Sequence, residues 1–170
     1  AIGVDIVFAE PDRTSPAALL AELDRRRLPL LEPGLIRELL QGGELDYDRI
    51  LGETLAELPS VLGYVFQLRD DGFKEAAAVP FPAALIRLEP PEIGFTALTL
   101  IPAHRAILNI PEISQAPSEG FFNVFPDIDG TVRRVPLLMM LDGVPYPSLA
   151  LELTRIALGE ETLVIHADPV

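Results

Sequence analysis

The sequence predicts an α/β domain: a mixed β-sheet flanked by helices, with a C-terminal β-hairpin followed by a helix. Three observations carry this expectation. The apolar, β-branched runs AIGVDIVF (1–8) and VLGYVFQL (61–68) read as buried strands. The first run leads through a polar loop into a capped helix, the order of an α/β unit. Two apolar stretches between 120 and 140 flank a turn containing Asp-Gly, which reads as a hairpin.

Each element has a local reason. After the first strand, AEPDRTSP is a polar loop. Ser15 is a good N-cap and Pro16 a good first helical residue, so a helix is expected from about Pro16 to Arg25, with Leu19, Leu20 and Leu23 on one face. PGLIRELLQGG (33–43) predicts a second short helix, and DYDRILGETLAEL (46–58) a third capped by Asp46. After the strand at 61–68, RDDGFK (69–74) predicts a turn. Residues 76–115 carry six prolines, Pro80, Pro82, Pro90, Pro91, Pro102 and Pro111, a spacing that long helices do not survive. A mostly irregular excursion is expected there, with a short strand at TALTLI (96–101). GFFNVF (120–125) and TVRRVPLLMM (131–140) are the expected hairpin strands, joined through PDIDG. Pro147 opens a helix that Gly159 ends, with Leu149, Leu153, Ile156 and Ala157 on its apolar face, and TLVIH (162–166) is a last strand.

Composition narrows the function. The 170 residues are 49% hydrophobic and carry a net charge of −13, with a pI near 4.4. A single domain of this size buries roughly 70% of its unfolded surface. Nucleic acids and anionic membrane surfaces are poor partners for so acidic a chain. The absence of cysteine excludes disulfides, thiolate nucleophiles and Cys-based zinc sites. No apolar run approaches the ~18 residues of a membrane span. The chain opens inside an apolar strand and closes abruptly at HADPV, which predicts a piece of a longer protein.

Several residues could carry chemistry. Asp127-Ile128-Asp129-Gly130 resembles the start of a calcium loop, but the twelfth position from Asp127 is Leu138, where a bidentate Glu is required. Arg133 and Arg134 would also repel a divalent cation, so a turn is expected and no metal. Neighbours on a strand face opposite sides, so one of these arginines is expected to point inward or into a cleft. There it needs a carboxylate or an anionic ligand. An ion pair with Asp5, Asp127 or Asp129 and an anion pocket both remain open. Asp5 lies between Val4 and Ile6 in an apolar strand, where a carboxylate is costly unless paired. Glu10 and Asp12 follow at the C-terminal end of that strand, where α/β sheets place their sites. His104 and His166 lack metal-ligand neighbours at helical or hairpin spacing. No nucleophile elbow, phosphate loop or dinucleotide fingerprint is present, and no cofactor is expected.

Two blocks carry a family likeness. The first is IGVDIVFAEPD (2–12), and the second is GFFNVFPDIDGTVRRVPLLMMLDGVPYPSLALEL (120–153), whose Gly-x-x-Asn places Asn123. Together they resemble the CHASE2 domain, an extracytoplasmic sensory module of bacterial transmembrane receptors. The resemblance implies a single sensor domain, without catalysis of its own, that detects a small-molecule or other extracytoplasmic signal. It further implies membrane helices outside this chain, and an output such as an adenylate cyclase, histidine kinase, diguanylate cyclase or protein kinase. A homodimer is expected because such receptors signal through paired outputs. The family's first strand and helix, which usually precede the first block, are expected to be missing here. Asp5, Glu10, Asp12, Asn123, Asp127, Asp129, Arg133 and Arg134 are the candidate ligand-binding residues. An α/β enzyme using Asp5, Glu10 and Arg133 is the alternative.

Overall fold

The computed structural model describes residues 1–26, 45–70, 79–80 and 85–167, with positions 34, 38 and 72. In chain order the elements are β1 (Ile2–Val4), α1 (Pro16–Arg25), α2 (Tyr47–Glu57), β2 (Ser60–Gln67), β3 (Leu85–Glu89), β4 (Ile101–Ala103), β5 (Arg105–Ile107), β6 (Ser118–Phe121), β7 (Leu138–Leu141), β8 (Val144–Pro147), α3 (Leu149–Leu158) and β9 (Thr162–His166). Single 3-10 turns lie at Pro91–Ile93 and Phe95–Ala97. The class is α/β with mixed sheets, and a hairpin followed by a helix lies near the C-terminal end.

β2 organises the main sheet. Its sequence, SVLGYVFQ, is β-branched and aromatic and is buried along most of its length, as a strand covered on both faces must be. β1 and β6 run parallel to its first half on opposite edges, and β5 pairs antiparallel with Val65, Phe66 and Gln67. β3 and β9 form a separate parallel pair. β4, β7 and β8 form a third sheet.

Register decides what each face of the main sheet can hold, because paired residues in neighbouring strands share a face. Gly3, Val61, Gly63, Ser118 and Gly120 lie on one face. This face is nearly bare of side chains, and α3 packs directly on it. A methyl group at Gly3 would overlap the Leu153 side chain, and one at Gly120 would sit 2.7 Å from the Leu149 backbone. Val4, Leu62, Tyr64, Phe66, Ala106 and Phe121 lie on the other face. Leu62 packs with Leu55 of α2 and with Ile110 and Ile113. Tyr64, Phe66 and Phe121 pack with Met139, Leu141 and Tyr146 of the hairpin. Phe66 meets Tyr64 and Tyr146 edge-on, with ring centroids 5.2 and 5.8 Å away, the arrangement that aromatic quadrupoles favour.

The ends of the first two described helices follow the sequence. Pro147, expected to open the last one, is instead the final residue of β8 and pairs with Leu138, so α3 starts only after Ser148. Ser15, Asp46 and Ser148 each accept a hydrogen bond from a first-turn N–H, those of Ala18, Arg49 and Leu151. Gly159 ends α3 in the left-handed conformation at φ 72°, which glycine adopts without strain. Apart from positions 34 and 38, the helix expected at 33–43 lies outside the described residues, as does half of the turn expected at 69–74.

Several expectations are corrected. The first strand covers only Ile2–Val4 of residues 1–8, because only these pair with β2. Among its described residues the stretch 76–115 has no long helix, as expected, but it contributes three short strands, β3, β4 and β5, whose partners are distant in sequence, and it buries Ile113. At TALTLI the chain forms a 3-10 turn, and the strand starts only at Ile101. The hairpin is also displaced. Residues 120–125 and 131–140 do not pair with one another. β6 instead runs parallel to β2, and residues 122–137 form no strand that could return along it. The hairpin joins β7 to β8 through Asp142-Gly143, at φ 50° and 79°, the two-residue turn whose twist matches paired strands.

Gly120→Ala is expected to lower the unfolding free energy by about 1–3 kcal/mol, because the added methyl overpacks against helix backbone that cannot rotate away. Urea unfolding checks this; an unchanged midpoint would mean that α3 does not rest on the sheet at this point.

Candidate functional site

Beyond the glycine face, the C-terminal ends of β1 and β6 and the first turn of α3 enclose a cleft of about 340 Å³. This is the edge of a parallel sheet where α/β folds place ligands. Phe122, Val124, Leu149, Val135 and Pro136 supply its apolar walls, and Asp5 and Asn123 come from the two motif blocks. Asp5 lies two residues beyond Gly3, on the α3 side of the sheet.

The polar groups of the cleft are mostly engaged in the fold. The Asn123 amide accepts from the Phe66 N–H at 2.7 Å and donates to the Phe66 carbonyl at 2.7 Å. It substitutes for a strand neighbour just past the end of β6. Ser148 caps α3 through its Oγ. Asp5 differs: it lies just past the end of β1 and is exposed, so the cost expected of a carboxylate inside an apolar strand does not arise. Among the described residues it has no hydrogen-bond or ion-pair partner.

The other candidates lie elsewhere. Asp127, Asp129 and Arg133 form a closed fork. Arg133 donates to Asp127 Oδ2 at 2.8 Å and to the two Asp129 oxygens at 3.0 and 2.7 Å. The Gly130 N–H closes the turn on the Asp127 carbonyl at 2.8 Å, with Gly130 at φ 79°. The two carboxylates therefore hold a guanidinium. The Arg133 side chain is 53% exposed and Arg134 is exposed, so neither points inward. Strand alternation does not apply, because residues 131–137 are not in a strand. Arg133 pairs with Asp127 and Asp129 rather than with Asp5. Its guanidinium, followed by the Thr131 N–H, lowers the Asp129 carboxyl to about 2.

Glu10 pairs with Arg13 on the surface. Asp12 accepts from the Thr14 hydroxyl at 2.7 Å and from the Thr14 and Ser15 N–H groups at 3.0 and 2.6 Å. These bonds, the Thr14 hydroxyl first, hold its carboxyl below the usual range. Its own N–H donates to Asp48 at 2.7 Å, which ties the start of α1 to α2.

Among the described residues, the least exposed carboxylate was not one of the candidates. Glu152 of α3 is 0% exposed. It accepts from Ser118 on β6 and from Arg155, whose Nε lies 3.0 Å from each oxygen. The carboxylate raises the Arg155 pKa. A buried charge of this kind needs such a partner, since an uncompensated one costs several kcal/mol. The sequence did hold a signal: Glu152 falls at helical spacing from Leu149 and Ile156, on the apolar face. Asn109 was missed as well. Its amide accepts from the Phe8 N–H and donates to the Gly63 carbonyl, both at 2.9 Å.

A model of the CHASE2 domain matches residues 1–168. The chain belongs to the CHASE2 domain family. CHASE2 domains are extracytoplasmic sensory domains, so the class is sensory and signalling. Neither a curated protein nor a solved structure matches the chain. Among the described residues, no helix is long and apolar enough to cross a membrane. The two motif blocks now have physical roles in this CHASE2 domain. Gly3 and Gly120 admit α3, Asn123 ends the sheet, Asp12 holds the turn before α1, Ser148 caps α3, and Asp5 faces the cleft.

Arg133→Met is expected to return the Asp129 carboxyl from about 2 toward its ordinary value near 3.8. A lowered carboxyl pKa favours the folded state above the unfolded value and loses that contribution as pH falls through the folded value. The contribution of the fork should therefore fade between pH 4 and pH 2 in the parent protein and be absent in the variant. Carboxyl NMR titration measures this; an unmoved Asp129 would mean that the fork does not persist in solution.

Proposed function

We propose that this chain is the stimulus-sensing input domain of a transmembrane receptor, and that the cleft at the ends of β1 and β6 receives the signal. The match to the CHASE2 family over residues 1–168 is the observation that carries the reading. The receptor is anchored in the cell membrane by segments outside this chain, with the domain on the periplasmic side. Its output is a module such as an adenylate cyclase, histidine kinase, diguanylate cyclase or protein kinase, and the receptor works as a homodimer. The domain itself does no chemistry.

The arrangement of the acids supports a binding role over the enzyme alternative. Asp5, Glu10 and Arg133 would have to converge to form an acid–base and anion-clamp set. Glu10 is closed on Arg13 and Arg133 on its two aspartates, and neither lines the cleft that holds Asp5.

Reporter insertions at the Asp142-Gly143 turn of the full-length receptor test the topology. A periplasmic reporter is expected to be active there and a cytoplasmic one silent. The opposite pattern would remove the extracytoplasmic placement and the receptor reading with it.

A further inference from the structure

The cleft has a chemical bias that identifies what it can hold. Its walls are apolar, and its volume of about 340 Å³ lies at the small end of the usual 300–1,000 Å³ for ligand pockets. The Asn123 amide is bonded at both ends to the Phe66 backbone, and the Ser148 Oγ caps α3. Asp5 is the charged residue on the cleft wall, and among the described residues its carboxylate is unpartnered. An ionised carboxylate only accepts hydrogen bonds, and a cationic donor makes a stronger bond with it than the water that an exposed carboxylate otherwise holds.

Resting on the reading of this cleft as the signal site, we infer that it takes a small organic cation: a primary ammonium group on one compact apolar body. The ammonium group meets Asp5, and the body lies among Phe122, Val124, Val135 and Pro136. The net charge of −13 reinforces the choice, because the field of the whole domain concentrates cations and repels anions. The first turn of α3 borders the cleft, and helix N-termini favour anions. That terminus already has its Ser148 cap and the Glu152 carboxylate in its first turn. No second anion is needed there.

Three probes with one ring and different head groups test the inference: benzylammonium, benzyl alcohol and benzoate. Their effect on the melting temperature of the 170-residue chain is read at equal concentrations. Benzylammonium is expected to raise the melting temperature most, with a shift that shrinks as salt is added. Asp5→Asn, an isosteric change at an exposed residue, should weaken the binding about tenfold and leave the unliganded melting temperature unchanged. Ala150→Trp, which places an indole at the mouth, should abolish the shift. Equal or larger shifts with benzyl alcohol or benzoate, or full binding by Asp5→Asn, would overturn the cation assignment. If Ala150→Trp still removed those shifts, the cleft would stand as the site. No shift with any probe, or shifts that survive Ala150→Trp, would overturn the assignment and the cleft reading together.

Discussion

The fold rests on the close approach of α3 to a sheet face that carries three glycines. Gly3 and Gly120 leave that face open, so Leu153 and the Leu149 backbone come against the strands themselves. Helix and sheet exclude water around Val61, Gly63, Ser118 and Gly120. Glu152 is trapped in that space and must be compensated in place, by the Ser118 hydroxyl across the gap and by Arg155 one turn along the helix. The Arg155 guanidinium also donates to the Glu160 carbonyl, which fastens the C-terminal end of the helix just before β9. A methyl group at position 120 would lift the helix and admit water to Glu152. The same lift would change the cleft, because the first turn of α3 is one of its walls.

How the sheet ends is the second constraint. β2 extends past both of its parallel neighbours, and a strand that outruns its partners leaves backbone groups to satisfy. Two asparagines do this. Asn123 pairs with both polar groups of Phe66, and Asn109 bridges Phe8 and Gly63. A side-chain amide carries one acceptor and two donors, so it can imitate a strand residue without continuing the strand. The chain is then free to turn away, and the space it vacates beyond β6 is the cleft. The closed fork of Arg133 with Asp127 and Asp129 stiffens the loop that returns along that space through Val135 and Pro136.

Features set by neighbours along the chain were legible. Pro16 to Arg25 is a helix because Ser15 caps it, and α2 starts where Asp46 can cap it. The turn at Asp127–Gly130 forms because its own side chains and one glycine close it. The hairpin was misplaced because two Asp-Gly turns compete in the sequence. Residues near either could form a strand, and only the parallel pairing of β6 with β2 assigns the hairpin to Asp142-Gly143. The middle segment was unreadable for the same reason. β3 matches β9 across more than seventy intervening residues, and no local periodicity announces such a pairing.

The sequence by itself determined the α/β class, the helix caps Ser15 and Asp46, the central strand and the family likeness, because each depends on spacings of a few residues or on motif order. The tertiary structure alone decided the partners of the charges. It gave Arg133 to the two aspartates of its own turn, buried Glu152 with Ser118 and Arg155, and left Asp5 at the cleft. The physical reason is that a charge settles by distance and burial, and both are set only when strands far apart in the chain find their register.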